Sequence, residues 1–144
     1  MVCTFFGHRD CYSLDRAVLR NAIEDLIEQG AEDFLVGHQG RFDGMVHSCL
    51  KSLRGQYPHI RYSVVLAYLP TEKRVFEEFM DTVYPEGIEE IHPKYAIDWR
   101  NRYLIRQADV CLCYVNRAWG GAHKYACMAK CQGLRVINLG SAVL

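Results

Sequence analysis

The chain passes from an apolar run into a helix-forming segment through the stretch Tyr114-Val115-Asn116-Arg117-Ala118-Trp119-Gly120-Gly121-Ala122-His123-Lys124-Tyr125. Residues 109–115 have the composition of a buried strand, and residues 121–132 that of a helix. A strand that turns through small residues into a helix presents unpaired N–H groups at the positive end of the helix dipole, where a phosphate can bind. The alternative is that Gly120 and Gly121 serve only the backbone angles of the turn.

The same order of strand, glycine turn and helix occurs twice near the start of the chain. Residues 2–6 are apolar and β-prone and end at Gly7, and residues 34–36 end at Gly37. A helix is predicted after each of these turns, and Ser13 is the expected cap of the first one. The three turns therefore resemble one another in kind.

The remaining predicted elements are, in chain order, a strand at 60–69, a helix at 72–81, a strand at 88–92, a helix at 98–107 with Trp99 and Tyr103 towards the sheet, and a strand at 135–139. Strands that alternate with helices indicate one α/β domain, residues 1–144, with a mostly parallel sheet covered on both faces. Ligands of such sheets bind outside the carboxyl ends of the strands. We expect the turns at that edge, including residues 68–70, to line one crevice.

Composition narrows the class of partner. The 144 residues include 17 Lys and Arg and 17 Asp and Glu, so no overall charge attracts a nucleic acid or an anionic membrane. Seven cysteines lie largely within predicted strands and helices, which is typical of reduced cysteine in a cytoplasmic protein. No closely spaced ligand pair predicts a metal, and we expect no cofactor. The apolar composition permits a homodimer or a higher homo-oligomer.

The turn Gly7-His8-Arg9 is the first candidate ligand-binding segment. Arginine can donate two hydrogen bonds to a phosphate or to ribose oxygens, and histidine can donate another. The alternative is a solvated loop in which Arg9 pairs with a nearby carboxylate such as Asp10. The residue types alone leave both interpretations open.

The run Gly37-His38-Gln39-Gly40-Arg41, followed by Asp43, is the densest polar cluster in the chain. Two glycines let the backbone approach a ligand, and the Asp43 carboxylate is a suitable acceptor for a pair of ribose hydroxyls. The alternative is that Asp43 stabilises the start of a helix through the helix dipole. Capping would explain Asp43 and leave the polar run before it unexplained, so ligand binding is favoured here.

Two further segments are candidates for the same crevice. Arg100 and Asn101 could reach a ligand from the predicted helix at 98–107, although a solvated helix face is the more ordinary interpretation. Trp119 could stack on a base or cover the end of the core. Gly120, Gly121 and Ala122 would supply the N–H groups of the helix that follows.

The ordered set of motifs resembles the SLOG superfamily, and within it the small stand-alone YpsA- and YoqJ-like branch of bacteria and their phages. The motifs are Gly7-His8-Arg9, Gly37-x-Gln39-Gly40 with Asp43, Arg100-Asn101 before Ala108-Asp109, and Gly120-Gly121-Ala122. The resemblance spans nearly the whole chain. It implies a Rossmann-like fold whose strand-end loops bind nucleotides or nucleotide-derived molecules, including ADP-ribose-like signals.

Enzymatic relatives in that superfamily, the lysine-decarboxylase-like phosphoribohydrolases, carry Pro-Gly-Gly-x-Gly-Thr and a glutamate soon after it. The corresponding stretch here is Trp119-Gly120-Gly121-Ala122-His123-Lys124, without the third glycine, the threonine or the glutamate. The resemblance therefore implies binding without hydrolysis, by a sensor or by a sequestering protein of the kind that would suit a phage-encoded inhibitor of host defence.

Two alternatives stay open. One is a phosphoribohydrolase or N-glycosidase in which Asp43 or His8 replaces the missing glutamate, and the other is an interaction module that has lost its ligand. For the binding hypothesis we expect replacement of Arg9 or Arg41 by alanine to abolish ligand binding with little loss of stability.

Overall fold

Six parallel strands form one sheet in the structure, a computed structural model that describes residues 1–67 and 82–144. The strands are β1 (Val2–Gly7), β2 (Asp33–Val36), β3 (Arg61–Val65), β4 (Thr82–Val83), β5 (Val110–Tyr114) and β6 (Arg135–Asn138). Their spatial order is β4-β3-β2-β1-β5-β6, and each of the described pairings is parallel. The predicted α/β fold is confirmed.

Helices cover both faces of this sheet. The described helices are α1 (Arg16–Glu28), α2 (Gly40–Gln56), α3 (Pro93–Gln107) and α4 (Gly121–Cys131). The buried side chains of α1 and α2 belong to one apolar cluster, and those of α3 and α4 belong to a second. Because successive strand residues point to opposite faces, Leu112 joins the first cluster while Cys111 and Cys113 join the second. The result is a Rossmann-like arrangement of three layers.

The order of the strands reverses at β1. From β1 the chain proceeds outward through β2, β3 and β4, and it then returns to place β5 on the other side of β1, with Cys3 beside Val110 and Gly7 beside Tyr114. Such a reversal separates the loops that leave neighbouring strands, because they continue to helices on opposite faces. The junction of β1 and β5 is therefore the expected place for a ligand.

The start of α1 differs from the prediction. Asp15, not Ser13, is the N-cap residue, and its Oδ1 accepts a hydrogen bond of 2.7 Å from the backbone N–H of Ala17. The Ser13 hydroxyl instead lies 2.7 Å from the hydroxyl of Tyr114 in β5. Serine and aspartate are both good caps, so composition alone could not choose between positions two residues apart.

The predicted strand at 88–92 is wrong. Residues Ile88–Glu90 form a short 3₁₀-helix after Gly87, which has a positive φ of 88°. Ile88 is buried while Glu89 and Glu90 are exposed, so the apolar side chain is separated from the next, Ile91, by a helical spacing of three. The fourth strand is the two-residue β4, which was not predicted from the sequence.

Helix α3 begins at Pro93, earlier than predicted, and buries a different face. Its buried residues are Ala96, Arg100, Asn101, Leu104 and Ile105. Trp99 and Tyr103 are only half-buried, and their rings stack on each other with centroids 6.5 Å apart. The expectation that these two aromatic residues point at the sheet is therefore wrong.

Several other expectations concern limited parts of the chain. The predicted helix at 72–81 and residues 68–70 lie outside the described residues. All seven cysteines are free thiols, and four of them, Cys3, Cys11, Cys111 and Cys113, are buried. Within 1–67 and 82–144, no helix is both long and apolar enough to cross a membrane.

Candidate functional site

A cleft of about 280 Å³ lies at the carboxyl edge of the sheet, beside the junction of β1 and β5. It is bounded by the end of β1, the loop after β2, the first turn of α2, the buried face of α3 and the start of α4. The predicted site residues that line it are Gly7, Arg9, Gly37, Gln39, Asp43, Arg100, Asn101, Gly121 and Ala122. Residues from both ends of the chain thus share one cavity.

The apolar part of the cleft was not predicted from the sequence. It is formed by Phe5, Phe6, Ile97, Leu104 and Tyr125. The rings of Phe6 and Tyr125 stack with centroids 5.6 Å apart. Two signals could have identified these residues: Phe5 and Phe6 directly precede Gly7, and Tyr125 lies one helical turn after Gly121.

Tyr125 is held by a carboxylate of the neighbouring helix. Its hydroxyl donates a hydrogen bond of 2.6 Å to Asp98 Oδ1, which also lies 3.4 Å from Lys124 Nζ. Burial and the adjacent Asp98 raise the pKa of Tyr125 to about 12, whereas the bonds from Tyr125 and Arg102 lower the pKa of Asp98. This contact ties α3 to α4 and fixes the ring that lines the cleft.

Arg100 and Asn101 are buried rather than on a solvated helix face. They are 2% and 7% exposed, which reverses the more ordinary interpretation of their sequence. The guanidinium of Arg100 donates to the backbone carbonyl of Val65 at 2.9 Å and to Asn101 Oδ1 at 2.8 Å. Helix α3 thus places a fixed positive charge in the wall of the cleft.

Asp43 is the carboxylate of this cavity. It lies in the first turn of α2, where its Oδ2 accepts a hydrogen bond of 2.9 Å from the backbone N–H of Gln39. Burial raises its pKa to about 6, although the positive charges of Arg100 and Arg9 and the bond from Gln39 all lower it. The capping role predicted as an alternative is therefore present, and the same residue also lines the cleft.

Gly37 is a position of close approach between α2 and α3. A Cβ atom here would lie 2.8 Å from Asp43 Oδ2 and 3.1 Å from Arg100 Nη1. Contacts this short are not tolerated by a methyl group, so only glycine lets the carboxylate and the guanidinium come together over the β2 loop.

Arg9 is exposed at the rim of the cleft. Its Nη2 lies 3.3 Å from Gln39 Oε1, which links the loop after β1 to the loop after β2. Asp10, the carboxylate expected to pair with Arg9 in the alternative interpretation, instead lies 3.2 Å from Arg117. Arg9 is therefore an accessible cation of the cleft, in contrast to the buried Arg100.

His8 lies behind the cleft and does not line it. It is 5% exposed, and its Nε2 accepts a hydrogen bond of 2.9 Å from the backbone N–H of Asn116. Burial and the nearby Arg117 lower its pKa, while Asp10 acts in the opposite sense. A neutral imidazole therefore joins the end of β1 to the end of β5.

The other predicted residues fall into two groups. Arg41, Trp119 and Gly120 lie outside the described lining of this cleft and of the groove introduced below: Arg41 donates to the carbonyl of Cys11 at 2.8 Å, and Trp119 is 66% exposed with Arg117 over its ring. Trp119 thus does not cover the core. Gly120 is the N-cap of α4 with φ of 92°, so its place in the turn does require glycine.

His38 and Gly40 line a second cavity of about 420 Å³, which we call the groove. It runs along the first two turns of α2 and is bounded by Gly37, His38, Gln39, Gly40, Asp43, Gly44, His47 and Ser48. The groove and the cleft share Gly37, Gln39 and Asp43.

Metal binding finds no support in the described part of the chain. Among residues 1–67 and 82–144, no group of three or more His, Cys, Asp or Glu side chains is arranged to hold a metal ion. No protein-family model matches the chain, and a search of curated protein sequences finds no match. The function must therefore be argued from the cavities themselves.

Proposed function

We propose that the protein binds a nucleotide-derived ligand, such as a mononucleotide, a dinucleotide or an ADP-ribose-type signal, in the cleft. The observation that carries this proposal is the convergence of residues from four chain segments on one cavity. The likeness of those segments to the SLOG superfamily agrees with it. In this proposal the protein is a cytoplasmic sensor or a sequestering binder, which would suit a phage-encoded inhibitor of host defence.

The chemistry of the cleft supports an anionic ligand that carries an aromatic ring. The guanidinium groups of Arg9 and Arg100 and the N-terminal N–H groups of α4 favour a phosphate. Phe6 and Tyr125 provide an apolar surface that a base could contact. No overall charge competes with this local recognition, because the chain is neutral.

Replacement of Arg9 by alanine tests this proposal, with Arg41→Ala as the matched control. Both arginines lie in neighbouring segments, but only Arg9 belongs to the described lining of the cleft. We expect AMP or ADP-ribose to raise the melting temperature of the wild type and of Arg41→Ala but not of Arg9→Ala. A ligand at a hundredfold excess over its dissociation constant stabilises a protein by about 2.7 kcal/mol.

Two results of that experiment would contradict the proposal. Absence of a thermal shift in the wild type with any nucleotide would favour an interaction module. Equal loss of binding in both arginine variants would mean that the cleft is not the site. The structure separates these two arginines, for which the sequence predicted the same role.

An N-glycosidase-like enzyme is the second candidate, and Asp43 is the observation that favours it. A carboxyl group with a pKa of about 6 next to a fixed guanidinium can exchange a proton near neutral pH. His8 is a poorer replacement for the missing glutamate, because its Nε2 is bonded to the Asn116 backbone and the residue is outside the cleft lining. Release of free base from AMP or ADP-ribose, detected by chromatography, would support the enzyme over the binder.

A further inference from the structure

The cleft and the groove meet at one carboxylate. Gly37, Gln39 and Asp43 belong to the lining of both cavities, so a ligand in the cleft has a direct path into the groove. The cleft alone, at about 280 Å³, is close to the lower limit of about 300 Å³ for small-molecule sites. The additional 420 Å³ of the groove provides room for a second unit of comparable size.

A glycine on α2 keeps the groove open. Gly44 lies within the helix, and a Cβ atom built there meets no atom of the described residues within 4 Å outside the helix backbone. Glycine in a helix interior destabilises it by roughly 0.5–1 kcal/mol relative to alanine. No steric contact within the described chain explains this glycine, whereas an open surface for a ligand does.

The two cavities differ in chemistry. The cleft combines guanidinium groups with the apolar side chains of Phe6 and Tyr125. The groove is lined by backbone, by the imidazoles of His38 and His47 and by the Ser48 hydroxyl. Imidazole and hydroxyl groups suit a sugar or another hydroxylated unit, because they can both donate and accept hydrogen bonds.

The residue at the junction defines what can lie between the two units. Asp43 Oδ2 already accepts the Gln39 N–H, and a carboxylate accepts hydrogen bonds from hydroxyl groups while it repels phosphate. A ribose ring suits the position beside Asp43. The phosphates are then displaced towards Arg9 and the start of α4.

We infer that the ligand is bipartite, with a phosphate-bearing nucleoside unit in the cleft and a second, hydroxylated unit in the groove, as in ADP-ribose or a dinucleotide such as NAD. This inference rests on the proposed function and specifies its ligand class. A mononucleotide would occupy the cleft and leave the groove empty.

The test measures binding of AMP, ADP-ribose and NAD by titration calorimetry to the wild type and to Gly44→Leu. A leucine at this position would extend into the groove without changing any residue of the cleft lining. We expect ADP-ribose or NAD to bind the wild type at least about tenfold more tightly than AMP, a difference of about 1.4 kcal/mol. Gly44→Leu should remove that advantage and leave the affinity for AMP unchanged.

Two control variants separate blocking of the groove from a change in the helix. Gly55 lies in the same helix, also with no described atom near its Cβ position, but it is outside the groove lining. Gly55→Leu should therefore bind all three ligands like the wild type, and so should Gly44→Ala, whose methyl group is small. The melting temperatures of the unliganded variants show whether each one is folded.

The results distinguish this inference from the proposed function. Equal affinities of the wild type for AMP, ADP-ribose and NAD would overturn the bipartite ligand and leave nucleotide binding in place. An unchanged advantage of the larger ligands in Gly44→Leu would also overturn it. Absence of binding by all three ligands would overturn both. With the inference upheld, a preference between ADP-ribose and NAD identifies whether the second unit is a ribose or a nucleoside.

Discussion

At the scale of single residues, the main feature of the site is a carboxylate and a guanidinium that are both shielded from water. Asp43 and Arg100 come together because Gly37 has no side chain to separate them. The desolvation of Asp43 outweighs the attraction of Arg100, and its pKa is therefore raised to about 6. Asp43 is thus partly protonated near neutral pH, and the fold is more stable with the proton than without it.

Replacement of Asp43 by asparagine should reduce the dependence of stability on pH. Because the folded-state pKa is about 6 and the ordinary value is 3.8, the favourable contribution of protonated Asp43 is present below pH 3.8 and is lost as the pH rises through 6. At about 1.36 kcal/mol per unit of pKa, this loss is on the order of 2–3 kcal/mol. Asparagine cannot ionise, so the Asp43→Asn variant should not lose that stability.

Urea unfolding of the wild type and of Asp43→Asn at about pH 4.5 and pH 7.5, on either side of the raised pKa, measures this effect. The wild type should lose more stability than the variant between the two values. Comparison of the two proteins is needed because His8 changes stability in the opposite direction as the pH rises. An identical change in both proteins would show that Asp43 ionises as readily in the folded state as in the unfolded chain.

At the scale of elements, the start of a helix is fixed by one side chain. The carboxylate of Asp15 accepts the backbone N–H of Ala17 and begins α1, whose buried face contains Leu19, Ile23, Leu26 and Ile27. This helix forms much of the first apolar cluster and separates β1 from β2 in the chain. Its N-terminal cap therefore contributes to the stability of the whole domain.

Replacement of Asp15 by alanine should lower the free energy of unfolding by about 1 kcal/mol, since that is the usual cost of losing a cap. Asp15→Asn retains a side-chain oxygen acceptor and should remain within a few tenths of a kcal/mol of the wild type. Urea unfolding of both variants provides the measurement. A larger loss in Ser13→Ala than in Asp15→Ala would instead indicate that the Ser13 contact with Tyr114 determines this region.

At the scale of the whole molecule, His8 connects the two halves of the sheet. The strands on either side of the β1–β5 junction lead to helices on opposite faces, and the bond from the Asn116 N–H to His8 Nε2 joins their ends. Asn116 is also bonded to Tyr114 through its side chain, and its Oδ1 accepts the Ser141 N–H. The loop that carries Gly120 and Gly121 therefore starts from a fixed point.

Replacement of His8 by alanine should lower the free energy of unfolding by about 1–3 kcal/mol, the usual cost of a buried N–H without its acceptor. His8→Gln retains an acceptor near the Nε2 position and should recover most of this loss. Because the folded-state pKa of His8 is lowered, its contribution is present above the ordinary value of 6.5 and is lost as the pH falls through the lowered value.

Chemical unfolding of the three proteins at about pH 5 and pH 7.5, below and above the ordinary pKa of histidine, separates these effects. The stability of the wild type relative to His8→Gln should be higher at the upper pH, because protonation at the lower pH weakens only the protein that carries the histidine. If His8→Ala and His8→Gln are equally unstable at the upper pH, the acceptor at Nε2 is not what joins the two strands.

Most of the parallel sheet and much of the candidate cleft could be predicted from the chain alone. Alternating apolar strands and amphipathic helices predicted the layers, and glycines after β1 and β2 and at the start of α4 predicted which loops meet. The elements that were predicted wrongly are short or ambiguous: β4 has two residues, and residues 88–91 have a spacing that fits a helical turn as well as a strand. Local sequence carries too little information to identify such elements, because their partners are distant in the chain.

The sequence by itself determined the fold class, because hydrophobic periodicity and glycine turns are properties of neighbouring residues. Only the tertiary structure decided that Arg9 lines the cleft while Arg41 bonds to the Cys11 carbonyl, and that Arg100 is buried. It also brought Phe6 against Tyr125 and joined the cleft to the groove. The physical reason is that burial and desolvation depend on which surfaces of separate elements face each other, and that is set by the packing of the whole chain.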